Sequence, residues 1–384
     1  MEVLEAYTNK GIYNFSPYIY YNNEQLMKDC CMIPYLFHRY LGYRANIITA
    51  KKEEYTYLEH LPGLILEILP TPSNLEEWIL QCCDYIRHNY EKIDVMFCFG
   101  AYSSHCDMVK QYKQLRPDGK VILKLDASLN WEDRIPFDEP NYELFLSSCN
   151  VISVESKKLK KYLSRKWPYR IDYVTNASSE LVAKDTVPYS EKENTILTVG
   201  KIGADYKANH ILLEAFAQAA HSLDGWQLKL VGSIEPSFHS FIDNYFFRYP
   251  HLKKRIVFTG KIIDKLLLED EYRKAKIFTL TSTREGGTPN VWSEAARNGC
   301  YIICSTIDAV DEATNWGMCG TSFEINNVEE LAEVMIRVCN NEENLMNGCR
   351  DIQIYRKRFF DYQKIIYKLQ HLLHLTPGGD THGV

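Results

Sequence analysis

The sequence predicts an α/β protein with two Rossmann-like domains that face each other across a cleft. Three observations predict this: short apolar runs alternate with helical stretches, the runs lack polar alternation, and the pattern restarts after a linker. Apolar strands separated by helices are typical of parallel sheets covered on both faces. Ligands of such sheets bind at the carboxyl ends of the strands, so we expect functional residues in the loops that follow strands.

The first half of the chain predicts an N-terminal domain over residues 1–176. Its apolar runs predict strands at Ala45–Thr49, Leu64–Leu69, Val95–Gly100, Val121–Leu125, Val151–Val154 and Ile171–Val174. Segments with helical spacing lie between them at Leu75–Asn89, His105–Leu115 and Ser156–Lys166. A hinge is predicted over residues 177–194, where Ser178, Ser179, Pro188 and a run of charges have linker composition.

The alternation then restarts and predicts a C-terminal domain over residues 195–350. Its strands are expected at Ile196–Val199, Gln227–Val231, Ile256–Thr259, Ile277–Leu280 and Tyr301–Cys304. Its helices are expected at Asn209–His221, Phe238–Tyr249, Leu266–Lys274, Pro289–Asn298 and Val328–Cys339. One long helix over 351–375 is predicted to pack back towards the N-terminal domain, followed by a flexible tail over 376–384.

Composition narrows the class of protein. Apolar residues are 46%, charged residues are 24%, and the net charge of −6 argues against a dedicated nucleic-acid binder. The apolar runs are shorter than the ~20 residues of a spanning helix, and Met1–Glu5 has no signal character, which predicts a cytoplasmic protein. The twelve cysteines form no C-x-x-C pair, so we expect reduced, mostly buried thiols and no metal site.

The most informative segment, residues 281–295, follows the predicted strand that ends at Leu280 and reads TSTREGGTPNVWSEA. Pro289 suits the first turn of a helix, where its missing N–H costs nothing. The backbone N–H groups predicted to point into the cleft, with the helix dipole behind them, are those of Gly286, Gly287, Thr288 and Asn290. Such a site binds phosphate or sugar hydroxyls, although a Gly-Gly pair alone is more often only a tight turn.

The whole segment resembles the donor-sugar loop of retaining GT-B glycosyltransferases of family four, whose Glu-x7-Glu pattern is often written E-G-x-P-N-V-x-x-E-A. The matching residues are Pro289, Asn290, Val291 and Glu294. Gly286 stands where the family has its first Glu, and Glu285 precedes it by one residue. A one-residue insertion in the turn would return Glu285 to the pocket. The resemblance then implies that Glu294 binds the donor ribose and Glu285 the hexose.

A second segment is a predicted strand that ends at Gly200 and is followed by Lys201 and Lys207. It resembles the family's strand-G-R-x(n)-K-G segment, in which an Arg and a Lys hold the donor diphosphate. Lys201 stands in the Arg position and Lys207 in the Lys position. Two ammonium groups can neutralise a leaving diphosphate, although lysines after a strand are usually only solvated.

Weaker matches extend the resemblance over residues 173–340. Gly232 and Ile262 follow predicted strands, as do the family residues that border the nucleotide base. Asn176-Ala177 resembles the family's hinge sequence Asn-Gly. The first domain matches only in its α/β pattern and in Gly42-Tyr43 before a strand. This weaker match is expected if the first domain binds a variable acceptor.

Two polar residues of the first domain, Asp126 and His105, follow predicted strands. Asp126, at the end of a predicted strand, either orients a sugar or acceptor hydroxyl with support from Lys124 or caps the next turn through its own backbone. Both interpretations stay open. His105 is predicted to lie in a helix that Ser103 and Ser104 cap.

The segment Lys157–Trp167 packs six basic residues into eleven, with apolar residues at helical spacing. A basic amphipathic helix can rest on anionic lipid. The alternative is a core helix with a solvated charged face.

The resemblance implies a retaining, metal-independent hexosyltransferase without a cofactor. Its donor would be a UDP-sugar, which is favoured, or a GDP-sugar, and its acceptor a glycan, a lipid-linked sugar or another molecule in surface polysaccharide or glycoconjugate synthesis. The predicted location is the cytoplasm, and contact of Lys157–Trp167 with the inner face of the cell membrane is left open. The alternative is a non-catalytic nucleotide-sugar-binding subunit of a transferase complex. A dinucleotide oxidoreductase is disfavoured, because neither Gly11 nor Gly200 begins a G-x-G-x-x-G motif.

Overall fold

The computed structural model describes residues 9–129, 134–177 and 186–374. The chain divides into two compact units, Met1–Leu181 with Asp361–Val384, and Val182–Phe360. Three sequence predictions concern segments outside the described residues: the N-terminal start at Met1–Glu5, most of the hinge (residues 178–185), and the tail over 376–384.

The first unit holds a parallel sheet that has seven strands in the described part of the chain. They are β1 (Gly11–Phe15), β2 (Arg44–Ala50), β3 (Leu64–Leu69), β4 (Val95–Phe99), β5 (Lys120–Lys124), β6 (Val151–Val154) and β7 (Ile171–Tyr173). Their order is β3-β2-β1-β4-β5-β6-β7, so the direction of winding reverses between β1 and β4. Side chains alternate between the two faces: Val121 and Leu123 join one apolar cluster and Ile122 another. Both faces are therefore buried, as the unbroken apolar runs predict.

Helices cover the two faces of this first sheet. They are α1 (Asn23–Leu26), α2 (Asp29–Leu41), α3 (Leu75–Asn89), α4 (Ser103–Leu115), α5 (Pro140–Ser148) and α6 (Lys157–Lys166). Sequence analysis missed α2 because it has no polar face over most of its length: Asp29–Phe37 is buried throughout. It also missed β1, in which the buried Asn14 interrupts the apolar pattern and donates to the Cys30 carbonyl at 2.5 Å.

The second unit repeats the plan with strands β8 (Glu193–Val199), β9 (Gln227–Val231), β10 (Ile256–Gly260), β11 (Ala275–Leu280), β12 (Tyr301–Ser305) and β13 (Gly320–Phe323). Their order in the described sheet is β10-β9-β8-β11-β12-β13, all parallel. The winding reverses between β8 and β11, and the loops that follow these two strands leave the same edge of the sheet. Such a reversal opens a crevice at the carboxyl ends of the strands.

The helices of the second unit are α7 (Asn209–Ala219), α8 (His239–Arg248), α9 (Lys265–Lys274), α10 (Asn290–Arg297), α11 (Val310–Thr314), α12 (Val328–Cys339) and α13 (Glu342–Phe359). The predicted α/β class with two parallel sheets is confirmed. The twelve cysteines are free thiols, and ten of them are buried. Among the described residues, no helix combines the length and the apolar character that crossing a membrane requires.

The prediction of one helix over 351–375 is wrong. Helix α13 ends at Phe359, and a separate helix α14 (Tyr362–Leu372) belongs to the first unit, where it packs against α2. The break has two causes. Phe360 is buried with its ring centroid 4.6 Å from that of Trp292, and the Asp361 carboxylate caps α14 by accepting from the Lys364 N–H at 3.2 Å.

Candidate functional site

The loops that follow β8 and β11 are joined by hydrogen bonds. The first loop contains a short 3₁₀ turn, Asp205–Lys207, and the second begins at Thr281. The Thr281 hydroxyl donates to the Lys207 carbonyl at 2.8 Å, and the Thr283 N–H donates to the Tyr206 carbonyl at 2.8 Å. The two candidate donor-binding segments of the sequence therefore contact each other.

Glycines line the strand ends beside this site. The Gly200 N–H donates to the Val231 carbonyl at 2.9 Å, and the Gly232 N–H donates to the Gly260 carbonyl at 3.0 Å. A Cβ at Gly232 would lie 1.6 Å from the Gly200 carbonyl oxygen, so only glycine permits this approach. Ile262 lies two residues beyond β10, partly buried against the apolar core of the second unit.

Lys207 and Glu285 form an ion pair at the centre of the two loops. The Lys207 ammonium lies 2.5 Å from Glu285 Oε1, and the Ser282 hydroxyl donates to the same oxygen at 2.6 Å. The side chains of Lys207 and Glu285 are only 15% and 11% exposed. The structure thus brings together a cation from one predicted segment and a carboxylate from the other, in a poorly solvated place where charge acts strongly.

Lys201 has a different carboxylate partner from Lys207 and is more exposed to solvent. Its ammonium pairs with the Glu235 carboxylate, and the hydrogen bond to Glu235 raises the pKa of Lys201 above its ordinary value. The Lys201 side chain is 56% exposed. Lys201 and Lys207 therefore both follow Gly200 on the chain but have separate carboxylate partners, and Lys201 is the better solvated of the two.

The glycine-rich turn leads into α10 as the sequence predicts. Gly287 is buried with φ of 78°, a value that favours glycine, and the Thr288 side chain is buried. The helix begins at Asn290, so Pro289 is its N-cap and not a residue of its first turn. The reason is that ψ of 160° at Pro289 is extended, and its carbonyl accepts the Trp292 N–H at 2.9 Å. That the turn's N–H groups bind a ligand stays a prediction.

Glu294 and Val291 follow in α10, and both are partly buried. Val291 packs against the core of the second unit. Glu294 Oε2 accepts a hydrogen bond of 2.8 Å from the hydroxyl of Tyr272 in α9. Sequence analysis placed Tyr272 in a helix but had no signal for this contact, since the two residues are 22 positions apart.

The remaining predicted site residue, Asp126, follows β5 in the first unit, with φ of 47°. Its N–H donates to Glu155 Oε1 at 3.2 Å. The Lys124 ammonium is not available to support Asp126. It is buried and donates hydrogen bonds to the Glu155 carboxylate at 2.9 Å and to the Asn176 side-chain oxygen at 2.7 Å. It also lies 3.3 Å from Asp29 Oδ2. The role of Asp126 itself stays a prediction.

Lys124 is the cation of a buried cluster that sequence analysis missed. Burial raises the pKa of both Asp29 and Glu155, and the nearby ammonium of Lys124 opposes that rise. The hydroxyl of Tyr362 in α14 donates to Asp29 at 2.6 Å. The cluster therefore ties β5 to α2, to the loop after β7 and to the returning helix α14.

The prediction that serines cap the helix at His105 is wrong. Tyr102 is the N-cap of α4 without a side-chain hydrogen bond, and the Ser104 hydroxyl donates to the Pro17 carbonyl at 2.8 Å. His105 Nδ1 lies 2.9 Å from the Gly100 carbonyl. Burial lowers the pKa of His105 to about 4, so the imidazole is neutral at pH 7.

Helix α6 buries its apolar residues and exposes its charges. Leu159, Leu163 and Trp167 are buried, whereas Tyr162 is 40% exposed. A shallow cavity of about 490 Å³ on this surface is lined by Leu129, Lys158, Lys161, Tyr162, Arg165 and Lys166.

No cluster of three or more His, Cys, Asp or Glu side chains suited to a metal ion occurs in the described ranges.

Residues 193–341 match the family model described as Glycosyl transferases group 1. Protein CapJ of Staphylococcus aureus is 26% identical over 231 residues, which are 54% of this chain and 55% of CapJ. The match therefore spans about half the length of this curated relative.

Solved structures are similar over nearly the whole chain. Anabaena Alr3699/HepE in complex with UDP has a TM-score of 0.74 at 15% identity, covering 96% of this chain and 100% of that chain. Sucrose-phosphate synthase from Thermosynechococcus elongatus has a TM-score of 0.71 at 16% identity, with coverages of 95% and 98%. The lipopolysaccharide outer core galactosyltransferase WaaB has a TM-score of 0.69 at 15% identity, with coverages of 94% and 98%. The chain has the GT-B fold.

Proposed function

We propose that the chain transfers a hexose from a nucleotide sugar to an acceptor with retention of configuration, and the match of residues 193–341 to the family model described as Glycosyl transferases group 1 supports this. The observation that carries the proposal is the meeting of Lys207 and Glu285 in the paired loops after β8 and β11. A UDP-sugar is favoured over a GDP-sugar. Anabaena Alr3699/HepE, which shares the fold, has been crystallised with UDP and with UDP-glucose.

The lysines supply charge stabilisation for the leaving group. As the sugar leaves, negative charge grows on the diphosphate, and preorganised cations at that position lower the barrier. Lys207 is poorly solvated and Lys201 lies close to it on the chain, so the two ammonium groups can take the role that a divalent cation plays elsewhere. The departing phosphate oxygen accepts the proton of the acceptor hydroxyl on the same face. This proposal requires neither a metal nor a protein nucleophile.

The two glutamates are assigned to different parts of the donor. A carboxylate accepts hydrogen bonds from paired hydroxyls, and Glu294 at the matching distance from Pro289 is assigned to the ribose. Glu285, beside Lys207 at 2.5 Å, is assigned to the hexose next to the diphosphate. Gly200, Gly232 and Ile262 at the strand ends are assigned to the side of the nucleotide.

The acceptor is proposed to be a glycan or a lipid-linked sugar of surface polysaccharide or glycoconjugate synthesis. The similarity in fold to WaaB, an enzyme of the lipopolysaccharide outer core, supports this class. Helix α6 is proposed to bring the protein to the cytoplasmic face of the membrane, because exposed basic residues surround Tyr162 there.

Vesicle binding tests the role of α6. Each basic residue near an anionic surface contributes about 1 kcal/mol, so reversing Lys158 and Lys161 to Glu is expected to weaken binding to phosphatidylglycerol vesicles by at least about 2 kcal/mol. The matched control reverses Lys253 and Lys254, which are equally exposed in the second unit. Co-sedimentation measures both. Wild-type protein that stays in the supernatant would instead support a core helix with a solvated face.

Donor turnover tests the function itself. Purified protein incubated with UDP-hexoses and EDTA is expected to release UDP, slowly with water and faster with an acceptor. Thermal unfolding provides the binding readout, since a ligand at 100 times its Kd stabilises the protein by about 2.7 kcal/mol. Stabilisation without turnover would favour the alternative, a non-catalytic nucleotide-sugar-binding subunit. Turnover only with added magnesium or manganese would disprove metal independence and leave the transferase activity standing.

A further inference from the structure

Tyr272 contacts the proposed ribose-binding carboxylate from behind. It lies in α9, its side chain is 1% exposed, and its ring packs in the core beside Phe278 at a centroid distance of 6.1 Å. Its hydroxyl donates to Glu294 Oε2 at 2.8 Å. The tyrosine therefore fixes one oxygen of the carboxylate from the interior of the unit.

The chemistry of this contact leaves the other oxygen for a ligand. An ionised carboxylate accepts hydrogen bonds at both oxygens, and a phenol donates one proton. Burial and the neighbouring charge of Glu294 raise the pKa of Tyr272 well above 10, so the hydroxyl stays protonated at any working pH. Oε2 is thus held by the protein, and Oε1 can accept from hydroxyls.

A second contact from α9 holds the end of the same helix. The Glu269 carboxylate pairs with the Arg297 guanidinium and accepts from the Asn298 amide at 2.9 Å. The Asn298 amide also donates to the Glu294 carbonyl at 2.9 Å. Helix α9 therefore constrains both the backbone and the side chain of Glu294, although none of these α9 residues belongs to the motif in α10.

We propose that Tyr272 is a positioning residue for the donor: it orients Glu294 so that Oε1 meets the paired ribose hydroxyls. The inference rests on the proposed function, which assigns Glu294 to the ribose. It adds a specificity element outside the motif, because a correctly oriented carboxylate distinguishes a ribonucleotide from one that lacks the ribose hydroxyls. A buried polar contact of this kind has large effects when its ligand partner is missing.

The test compares nucleotides with and without ribose hydroxyls. Tyr272→Phe is expected to weaken binding of UDP about tenfold and to leave binding of 2′,3′-dideoxy-UDP unchanged within twofold, by calorimetry. The matched control is Tyr245→Phe, which also removes a buried hydroxyl in the same unit, one that donates to the Leu213 carbonyl at 2.9 Å. This control is expected to change neither affinity. Equal losses for both nucleotides, or no loss, would overturn the inference.

Two further variants separate this inference from the function on which it rests. In a Glu294→Gln background, Tyr272→Phe is expected to add less than twofold to the loss of UDP affinity, because both changes remove one interaction. If Glu294→Gln leaves the affinities for both UDP and GDP unchanged, the proposed donor site is wrong. If Glu294→Gln weakens binding and Tyr272→Phe does not, the positioning role alone is wrong.

Discussion

Lys207→Ala is expected to lower turnover by about 10²–10³-fold, the usual cost of losing one preorganised electrostatic contact to a developing charge. The side chain is 15% exposed, so solvent cannot replace the missing ammonium well. Lys201→Ala is expected to act in the same direction, with a smaller effect because that side chain is 56% exposed. Initial rates at saturating donor measure both.

The chain provides a close control for this substitution. Lys229 is also 15% exposed and forms an ion pair of 2.6 Å with Glu271 in the same unit, but it lies on β9 and outside the paired loops. Lys229→Ala is expected to keep turnover within severalfold of the wild type. Near-normal turnover in both Lys201→Ala and Lys207→Ala would show that the donor diphosphate binds elsewhere.

The second large effect is a separation between two glutamates. Glu294→Gln is expected to weaken binding of both the sugar nucleotide and the free nucleoside diphosphate about tenfold or more, since hydrogen bonds to charged groups are worth about 1.5–3 kcal/mol. Glu285→Gln is expected to leave nucleoside diphosphate binding nearly intact, because Glu285 is assigned to the hexose, which the free nucleoside diphosphate lacks. Turnover should still fall strongly, because the contact to the migrating sugar is lost.

Calorimetry with UDP and steady-state rates with the sugar nucleotide measure the two effects independently. Compared with the wild type, Glu294→Gln should differ chiefly in its affinity for UDP, whereas Glu285→Gln should differ chiefly in kcat. If both substitutions weaken UDP binding equally, Glu285 does not serve the hexose and the register of the loop has been assigned incorrectly.

Most strands could be predicted because strands that are buried on both faces have continuous apolar sequences. Leu64–Leu69, Val151–Val154 and Gln227–Val231 have the predicted bounds, and other predicted strands differ by a few residues at their ends. Strand β1 and helix α2, two of the elements that were not predicted, share a cause. Strand β1 has a buried asparagine whose amide is satisfied by a carbonyl of α2, and α2 is apolar on every side from Cys30 to Phe37. Neither shows the periodicity by which elements are recognised.

The candidate site was predictable in its residues but not in its contacts. Each strand-end glycine directly follows its apolar run, and the Pro-Asn-Val-x-x-Glu string spans six residues, so each of these local patterns is readable. The pairing of Lys207 with Glu285 spans 78 residues, and that of Tyr272 with Glu294 spans 22. Such contacts depend on the order of strands in the sheet, which no local pattern specifies.

Local sequence patterns were sufficient to predict the two-sheet α/β class and the loops that carry the candidate residues, because burial and turn geometry impose such patterns. Which charges meet depends on tertiary packing. The strand order β9-β8-β11 places the loop of Lys207 against that of Glu285. It also places Glu235, which follows β9, beside Lys201, which follows β8. Lys124 is the clearest case, because its position at a strand end suggests an exposed helper, whereas packing buries it among Asp29, Glu155 and Asn176. Charges buried in a protein interior require partners, and the fold supplies those partners from distant parts of the chain.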